Sequence, residues 1–345
     1  MKLGIVLFNL GGPDGPEAVE PFLRNLFSDP AIIGLPAVLR LPLAWLIARR
    51  RAPVAAEIYH YLGGASPILP ETEKQARALE AALSGSGVEA KCVIAMRCWH
   101  PFSDAAAAEL KKFAADKIIL LPLYPQYSTT TTASSLKDWG RAARAAGLAA
   151  PTTRICCYPA DSGFVRAMAG HIRAALAQTP NARLLLSAHG LPERVIERGD
   201  PYQWQVEKSA AAIVEELGME NLDHVVYYQS RVGPLKWLGP ATDAEIRRAG
   251  AEGKALVVAP LAFVSEHSET LVELDIEYAR LARETGVPEY RRCPAVRDDA
   301  EFIDGLAALV RKAAAAQTPC VNADAGRICP AQFSGCGFLD PTSRK

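Results

Sequence analysis

The most constraining feature of the sequence is an alternation of short apolar runs with longer, Ala-rich stretches of helical period. Runs that are apolar on both faces, joined by helices, are typical of parallel strands in sheets that are covered on both sides. The predicted strands are 3–9, 92–96, 117–124, 153–158, 183–188, 224–230, 255–263 and 290–296. The predicted helices include 103–115, 132–148, 161–177, 202–217, 268–285 and 298–316.

These strands fall into two sets that end alike. The corresponding ends are FNLGGP (8–13) and SAHGLP (187–192), MRCWHP (96–101) and QSRVGP (229–234), and LPLYPQYSTTTT (121–132) and APLAFVSEHSET (259–270). This internal repeat predicts an α/β fold of two similar halves, each a four-stranded parallel sheet flanked by helices. We assign residues 1–180 to the N-terminal half, 181–316 to the C-terminal half and 317–345 to a cysteine-containing tail.

Charge and cysteine content exclude several classes of protein. The 38 Lys and Arg residues balance 38 Asp and Glu residues, which argues against a nucleic-acid partner. Eight cysteines in 345 residues are too sparse for a disulfide scaffold, and no signal peptide opens the chain, so we expect a cytoplasmic protein. Because Walker, GxSxG and HExxH motifs are absent from the sequence, nucleotide binding and serine hydrolysis lack support.

Residues 31–51, the apolar lip, are long and apolar enough to resemble a membrane span. Pro36, Arg40 and Pro42 interrupt them and three arginines follow at 49–51, so spanning is unfavourable. Two interpretations stay open. The segment is either a surface that dips into the lipid interface or borders an apolar pocket, or a buried helical hairpin.

Ligands of such folds bind beyond the carboxyl ends of the strands, often between domains, and polar side chains collect at these ends. His189 ends one predicted strand, and Glu266, Glu269, Glu273 and Glu277 follow another at spacings that share one helix face. An acidic helix start is the ordinary interpretation of such a stripe. Imidazole with carboxylates also suits a divalent metal such as Fe(II). Aromatic, hydroxyl and arginine side chains at neighbouring strand ends indicate a slot for a flat aromatic ligand that bears carboxylates.

With these residues the sequence resembles the ferrochelatases, which insert ferrous iron into a porphyrin. The motifs of the resemblance are LFNLGGP (7–13), YLGGASPI (61–68), LYPQYS (123–128), SAHGLP (187–192), GDPY (199–202), YQSRVGPLKWLGP (228–240) and FVSEHSETLVELDIEY (263–278). The resemblance implies two Rossmann-like halves with a porphyrin cleft between them. It also implies conversion of protoporphyrin IX to protohaem, the last step of haem biosynthesis.

The resemblance carries site roles to matching positions. It implies that His189 and Glu269 are catalytic, bind the substrate iron and flank the porphyrin plane. Which of the two accepts protons and which ligates the ion stays open. The implied porphyrin-cleft residues are Leu10, Tyr61, Ser66, Arg97, Tyr127, Gln229, Trp237 and Glu273. The apolar lip is then the surface through which porphyrin is taken from a membrane, and a homodimer is also compatible with the sequence.

Cys320, Cys329 and Cys336 lie in the irregular tail, where metal ligation is favoured over disulfides. Some ferrochelatases carry a C-terminal [2Fe-2S] cluster, and the resemblance implies one here. The tail spacing is wider than in the animal enzymes, and Thr129 follows YPQYS instead of cysteine. We predict Cys157 as the fourth ligand, with Cys156 as the alternative.

Three other functions compete with iron insertion into protoporphyrin. A coproporphyrin ferrochelatase shares most of these features, and the apolar lip and cysteine tail favour protoporphyrin. A chelatase for cobalt, nickel or sirohydrochlorin would be a shorter chain without the lip. A porphyrin carrier would need the slot but not the histidine and the carboxylate stripe.

Overall fold

Two parallel sheets organise the chain, and their strand orders repeat. The structure is a computed structural model that describes residues 1–85, 87–231, 235–324 and 326–338. The first sheet has the order β2-β1-β3-β4-β9 and the second the order β6-β5-β7-β8. The first four positions correspond one to one, so the prediction of two similar parallel α/β halves is confirmed.

The strands follow the apolar runs of the sequence closely. Their bounds are β1 Lys2–Asn9, β2 Glu89–Met96, β3 Lys117–Pro122, β4 Thr152–Ile155, β5 Arg183–His189, β6 His224–Gln229, β7 Leu256–Pro260, β8 Tyr290–Arg292 and β9 Cys320–Val321. All neighbouring strands pair in parallel. The central strands are buried along nearly their whole length, because helices cover both faces.

The helices connect these strands. They are α1 Val19–Ser28, α2 Ala37–His60, α3 Ile68–Leu83, α4 Ser103–Phe113, α5 Thr132–Ala146, α6 Ser162–Gln178, α7 Glu193–Glu197, α8 Tyr202–Leu217, α9 Thr242–Ala251, α10 Ala279–Glu284 and α11 Ala300–Ala315, with a 3-10 turn at Pro16–Ala18. A π-helix at Glu269–Tyr278 precedes α10 directly. The predicted α-helix over 268–285 is therefore wrong in type over its first part.

The chain forms two compact units whose limits differ from the predicted domains. Among the described residues, one unit lies within 1–157, 306–328 and 337–338, and the other within 158–305 and 329–336. Helix α6 belongs to the second unit because it packs against α8 and β7. In the first unit Phe8 meets Trp139 edge-to-face at 6.2 Å, and in the second Leu185 and Val258 share one apolar cluster.

The first sheet contains a fifth strand that the sequence analysis did not predict. Strand β9 is two residues long and pairs with β4, with Cys320 beside Arg154. A strand this short carries no hydrophobic periodicity, so the predicted count of four strands is wrong for this sheet.

The apolar lip is helical from residue 37 onward and largely exposed. Ala44 and Ala48 of α2 are buried, and Ala48 packs in an apolar cluster with α1. The outer face exposes a row of large apolar side chains, which are Val38, Leu39, Leu41, Leu43, Trp45, Leu46 and Val54. The alternative of a buried hairpin is therefore wrong. Within the described residues, no helix is long and apolar enough to cross a membrane.

Candidate active site

His189 is the last residue of β5, and it lies opposite Gln229, the last residue of β6. The next residue must be glycine, because a Cβ at Gly190 would lie 2.8 Å from the Gln229 carbonyl oxygen. The Tyr202 hydroxyl donates a hydrogen bond to the His189 carbonyl oxygen at 3.1 Å. These contacts fix the strand end, while 39% of the His189 side chain stays exposed.

His189 and Glu269 form a direct pair. His189 Nδ1 lies 2.8 Å from Glu269 Oε2, and 20% of the Glu269 side chain is exposed. The predicted placement of these groups on opposite faces of a porphyrin is wrong, because a 2.8 Å contact leaves no room for a macrocycle between them. When Nδ1–H donates a hydrogen bond to the carboxylate, the imidazole is the Nδ1–H tautomer and the lone pair of Nε2 is available to a proton or a metal ion.

The π-helix brings a second carboxylate to the pair. Its i→i+5 bonding is rare and is frequently found at functional sites. Ser230 lies within hydrogen-bonding distance of both carboxylates, with Oγ 3.2 Å from Glu269 Oε2 and 2.7 Å from Glu273 Oε2. The buried Gln229 amide donates to the Glu269 carbonyl oxygen and to Glu273 Oε2, both at 3.1 Å.

The proximity of these groups shifts their pKa values in opposite directions. Burial raises the pKa of Glu269, but the His189 imidazole outweighs it and holds the pKa at about 2. Burial and the Glu269 charge raise the pKa of Glu273 to about 7. Burial lowers the pKa of His189, but the Glu269 charge and hydrogen bond raise it by more than burial lowers it, so the net shift is upward. The site thus holds a firmly ionised carboxylate beside one that titrates near neutral pH.

The predicted acidic stripe is only partly correct. Glu266 is buried and accepts hydrogen bonds from Arg292 at 2.9 and 3.1 Å, so it pairs away from His189. Glu277 is exposed at the surface. An α-helical face cannot describe these positions, because Glu266 precedes the π-helix and the other three lie inside it.

Ser230 was included in the sequence analysis only among the hydroxyl groups expected at strand ends and in the motif 228–240, without a role of its own. It has a left-handed backbone conformation with φ of 62°, which is uncommon for serine. Its place directly after Gln229 at a strand end and its position in that motif are the sequence signals that could have assigned it a role. Residues 232–234, which follow shortly after it in the sequence, lie outside the described residues.

Trp237, a predicted cleft residue, lies next to the histidine turn. The next residue, Leu238, donates a backbone hydrogen bond to the Leu191 carbonyl oxygen at 2.9 Å, which joins this segment to the one that follows Gly190. A Cβ at Gly190 would lie 3.4 Å from the Trp237 ring, which places the indole beside the residue that follows His189.

The other predicted cleft residues belong to the first unit. Leu10 packs in the apolar cluster of α1 and α2, and Tyr61 is exposed just after α2. Ser66 lies close to Gly12, where a Cβ would come within 2.5 Å of its side chain. Arg97 is held by the buried Asp29, at 2.9 Å.

Tyr127, another predicted cleft residue, is buried in the first unit. Only 3% of Tyr127 is exposed, and it packs in one cluster with Cys156, Cys157 and Cys320. Cys329 and Cys336 are buried in the second unit, where the Gln205 amide donates to Cys329 Sγ at 3.1 Å. Within the described part of the chain, no group of three His, Cys, Asp or Glu side chains is placed to hold a metal ion.

Comparisons with known proteins identify the family. A family model described as ferrochelatase matches residues 2–314. The curated ferrochelatase of Caulobacter vibrioides is 56% identical over 340 residues, covering 97% of both chains. That of Phenylobacterium zucineum is also 56% identical, over 97% of this chain and 98% of its own. Among solved structures, SirB from Bacillus subtilis with Fe3+ matches with a TM-score of 0.56 at 13% identity, covering 91% of this chain and 96% of its own, which supports the fold. The chain belongs to the ferrochelatase family.

Proposed function

We propose that this protein inserts ferrous iron into protoporphyrin IX and releases protohaem. The observation that carries the proposal is the His189–Glu269 pair at the end of β5, in a chain of this family. Ferrous iron and porphyrin are substrates here. The reaction replaces two pyrrole protons by one Fe(II) ion, so the site must bind the ion and remove two protons.

His189 is suited to the first proton. Its Nδ1 is turned to Glu269, which leaves Nε2 as the group that meets the substrate. Transfer of a proton to Nε2 creates an imidazolium, which the Glu269 carboxylate stabilises at 2.8 Å. Nε2 can ligate the incoming ion only while it carries no proton, so proton acceptance and iron binding are alternative roles of this atom, and the proton must leave His189 before Nε2 can meet an ion.

Glu273 is suited to carry protons away. A chain of hydrogen-bonding groups runs from His189 through Glu269 and Ser230 to Glu273. A carboxyl with a pKa of about 7 both accepts and releases protons at physiological pH. Gln229 orients this chain through its two donated hydrogen bonds.

The remaining cleft residues serve the macrocycle. We propose that Leu10, Tyr61, Ser66, Arg97, Tyr127 and Trp237 contact porphyrin or support the residues that do. A bound porphyrin that is bent out of plane exposes its nitrogen lone pairs to the ion, and contacts remote from the nitrogens supply that strain.

We also propose that the apolar lip contacts a membrane surface as part of a peripheral, cytoplasmic enzyme. Its exposed apolar row lies beside Arg49, Arg50 and Arg51, the composition of an interfacial helix. Wild-type protein should sediment with anionic vesicles, and Val38→Asp should not. A homodimer that covers this face would instead give a dimer in sedimentation analysis and no vesicle binding.

A [2Fe-2S] cluster on Cys157, Cys320, Cys329 and Cys336 is a separate proposal. All four are buried, and β9 brings Cys320 beside the end of β4. The cluster would supply structural cross-linking by thiolate ligands. Anaerobically purified protein should show visible absorption and acid-labile sulfide. Colourless protein without sulfide would exclude the cluster.

The central test is an anaerobic assay that offers each macrocycle with Fe(II), Co(II) and Zn(II). We expect Fe(II) insertion into protoporphyrin IX. Faster insertion into coproporphyrin or sirohydrochlorin would assign one of the alternative chelatases. Tight porphyrin binding without insertion of any metal would identify a carrier and overturn the proposal.

A further inference from the structure

The π-helix is held from one side by the last strand of its own sheet. Arg292 ends β8, and 11% of its side chain is exposed. Its Nε and Nη2 donate to the two oxygens of Asp275 at 2.6 and 2.8 Å. Its Nη1 donates to Glu266 at 2.9 Å. One guanidinium thus contacts a residue just before the π-helix and another in the middle of it.

From these contacts we infer that Arg292 is a positioning residue, which fixes the π-helix so that Glu269 and Glu273 stay aligned with His189. This inference rests on the proposed function and adds a residue outside the described site. Glu266 precedes Glu269 by three residues and Asp275 follows it by six, so the arginine brackets the turn that carries the catalytic carboxylate.

A π-helix needs such support because i→i+5 bonding is rarely maintained over more than one turn. This one extends for ten residues. Tyr290, also on β8, donates from its hydroxyl to the Leu274 carbonyl oxygen at 2.9 Å. Two side chains of one short strand therefore fix the π-helix at adjacent positions, 274 and 275.

The fork of Arg292 is better suited to this role than a point charge. It engages both Asp275 oxygens, a geometry that a lysine cannot reproduce. Glu266 also accepts from the Ala295 backbone N–H at 3.0 Å, so its carboxylate is itself fixed. Loss of the arginine would leave Glu266 charged, buried and without its cation, which favours movement of this segment.

Strand β8 also provides a matched control. Arg291 points to a different set of partners, donating to Thr179 Oγ1 at 3.0 Å and to Glu289 Oε1 at 2.8 Å. Substitution of Arg291 removes the same charge from the same strand without touching the π-helix.

The test measures kcat and porphyrin affinity of the full-length protein at a temperature where every variant is folded by circular dichroism. Arg292→Met should lower kcat for iron insertion about 10- to 100-fold, since small misplacements of catalytic groups cost this much. The dissociation constant for porphyrin should change by no more than about twofold, because binding is not the step affected. Arg292→Lys should recover only part of kcat, and Arg291→Met should stay within about twofold of the wild type.

A second variant keeps the inference testable if Arg292→Met does not fold. Asp275→Asn preserves shape and should lower kcat about 3- to 10-fold. Arg292→Lys should lower kcat by a smaller factor in the Asp275→Asn background than in the wild type, because both changes disturb the same contact.

A folded Arg292→Met variant with wild-type kcat would overturn the inference, as would fully multiplicative effects of Asp275→Asn and Arg292→Lys. Both outcomes leave iron insertion by the wild type intact. Failure of the proposed function would instead show as a wild-type protein that inserts no iron.

Discussion

Strands β1 and β5 hold the same position in the two sheets, but the residues at their carboxyl ends have different roles. Asn9 ends β1, is 5% exposed, and donates from its side-chain amide to Thr72 Oγ1 at 3.1 Å. It also accepts a hydrogen bond from Leu10 N at 2.9 Å. His189 ends β5 with an exposed ring edge and a carboxylate partner. The Asn9 amide at the end of β1 has its hydrogen bonds within the protein, whereas His189 at the end of β5 pairs with a carboxylate and keeps part of its ring exposed.

The segments after the third strand differ in the same way. In the first unit β3 is followed by α5, an ordinary α-helix whose Trp139 packs in the core. In the second unit β7 is followed by the π-helix with Glu269 and Glu273. A duplicated fold has thus kept its strand order in both halves, while the acid–base groups described here are concentrated in the second.

Replacement of His189 tests this contrast with the largest effect. His189→Ala should lower iron insertion by about 1000-fold, since a positioned general base contributes about 100- to 10,000-fold. Porphyrin binding, followed by fluorescence quenching, should remain largely intact. His224→Ala, at the exposed opposite end of β6, is the control and should keep wild-type activity. Near-normal turnover without His189 would remove it from the reaction.

Glu269→Gln should have the next largest effect, about 100-fold on kcat, because a neutral amide cannot stabilise the imidazolium. The pKa of His189 should fall in the same variant, since burial then acts without the opposing charge. A proton-detected titration of the imidazole measures this shift. An unchanged His189 pKa would mean that the pair is not electrostatically coupled.

Glu273→Gln should change how stability depends on pH. The folded carboxyl has a pKa of about 7 against an ordinary value of 4.5, so between these values the unfolded chain releases a proton that the folded chain retains. Wild-type stability therefore falls as pH rises through this window, and the penalty is complete above it.

Relative to the wild type, Glu273→Gln should therefore gain on the order of 1 to 3 kcal/mol between pH 4.5 and pH 8 in denaturant unfolding. The exposed Glu277→Gln variant is the control. Parallel stability curves for the wild type and Glu273→Gln would contradict the raised pKa.

The smallest effect is expected at Asn9. Asn9→Ala should lower the free energy of unfolding by about 1 to 2 kcal/mol, because it removes a buried amide from its partners. The kcat for iron insertion should stay at the wild-type value. A loss of kcat comparable to that of His189→Ala would show that the first unit also contributes chemistry.

Sequence reasoning could predict the two parallel sheets because buried strands are apolar on both faces and because their ends repeat. It could also single out His189 and Glu269 as polar residues at or shortly after the ends of such strands, and their catalytic roles stay a prediction. It could not predict the π-helix, since hydrophobic periodicity does not distinguish i→i+5 from i→i+4 bonding. The pairing of Glu266 depends on Arg292, which is distant in sequence. The direct contact of His189 with Glu269 likewise depends on tertiary geometry.

Strand β9, at the start of the cysteine tail, has a structural role that does not depend on any metal. Its backbone covers the outer side of β4, where Cys156 N donates to the Val321 carbonyl oxygen and Arg154 N donates to the Pro319 carbonyl oxygen. A shortened chain would uncover this border and offer its open N–H and C=O groups to other molecules, a common route to aggregation. Single Cys→Ser replacements in the tail therefore test metal binding by the thiols, whereas removal of the tail also tests protection of the sheet edge against aggregation.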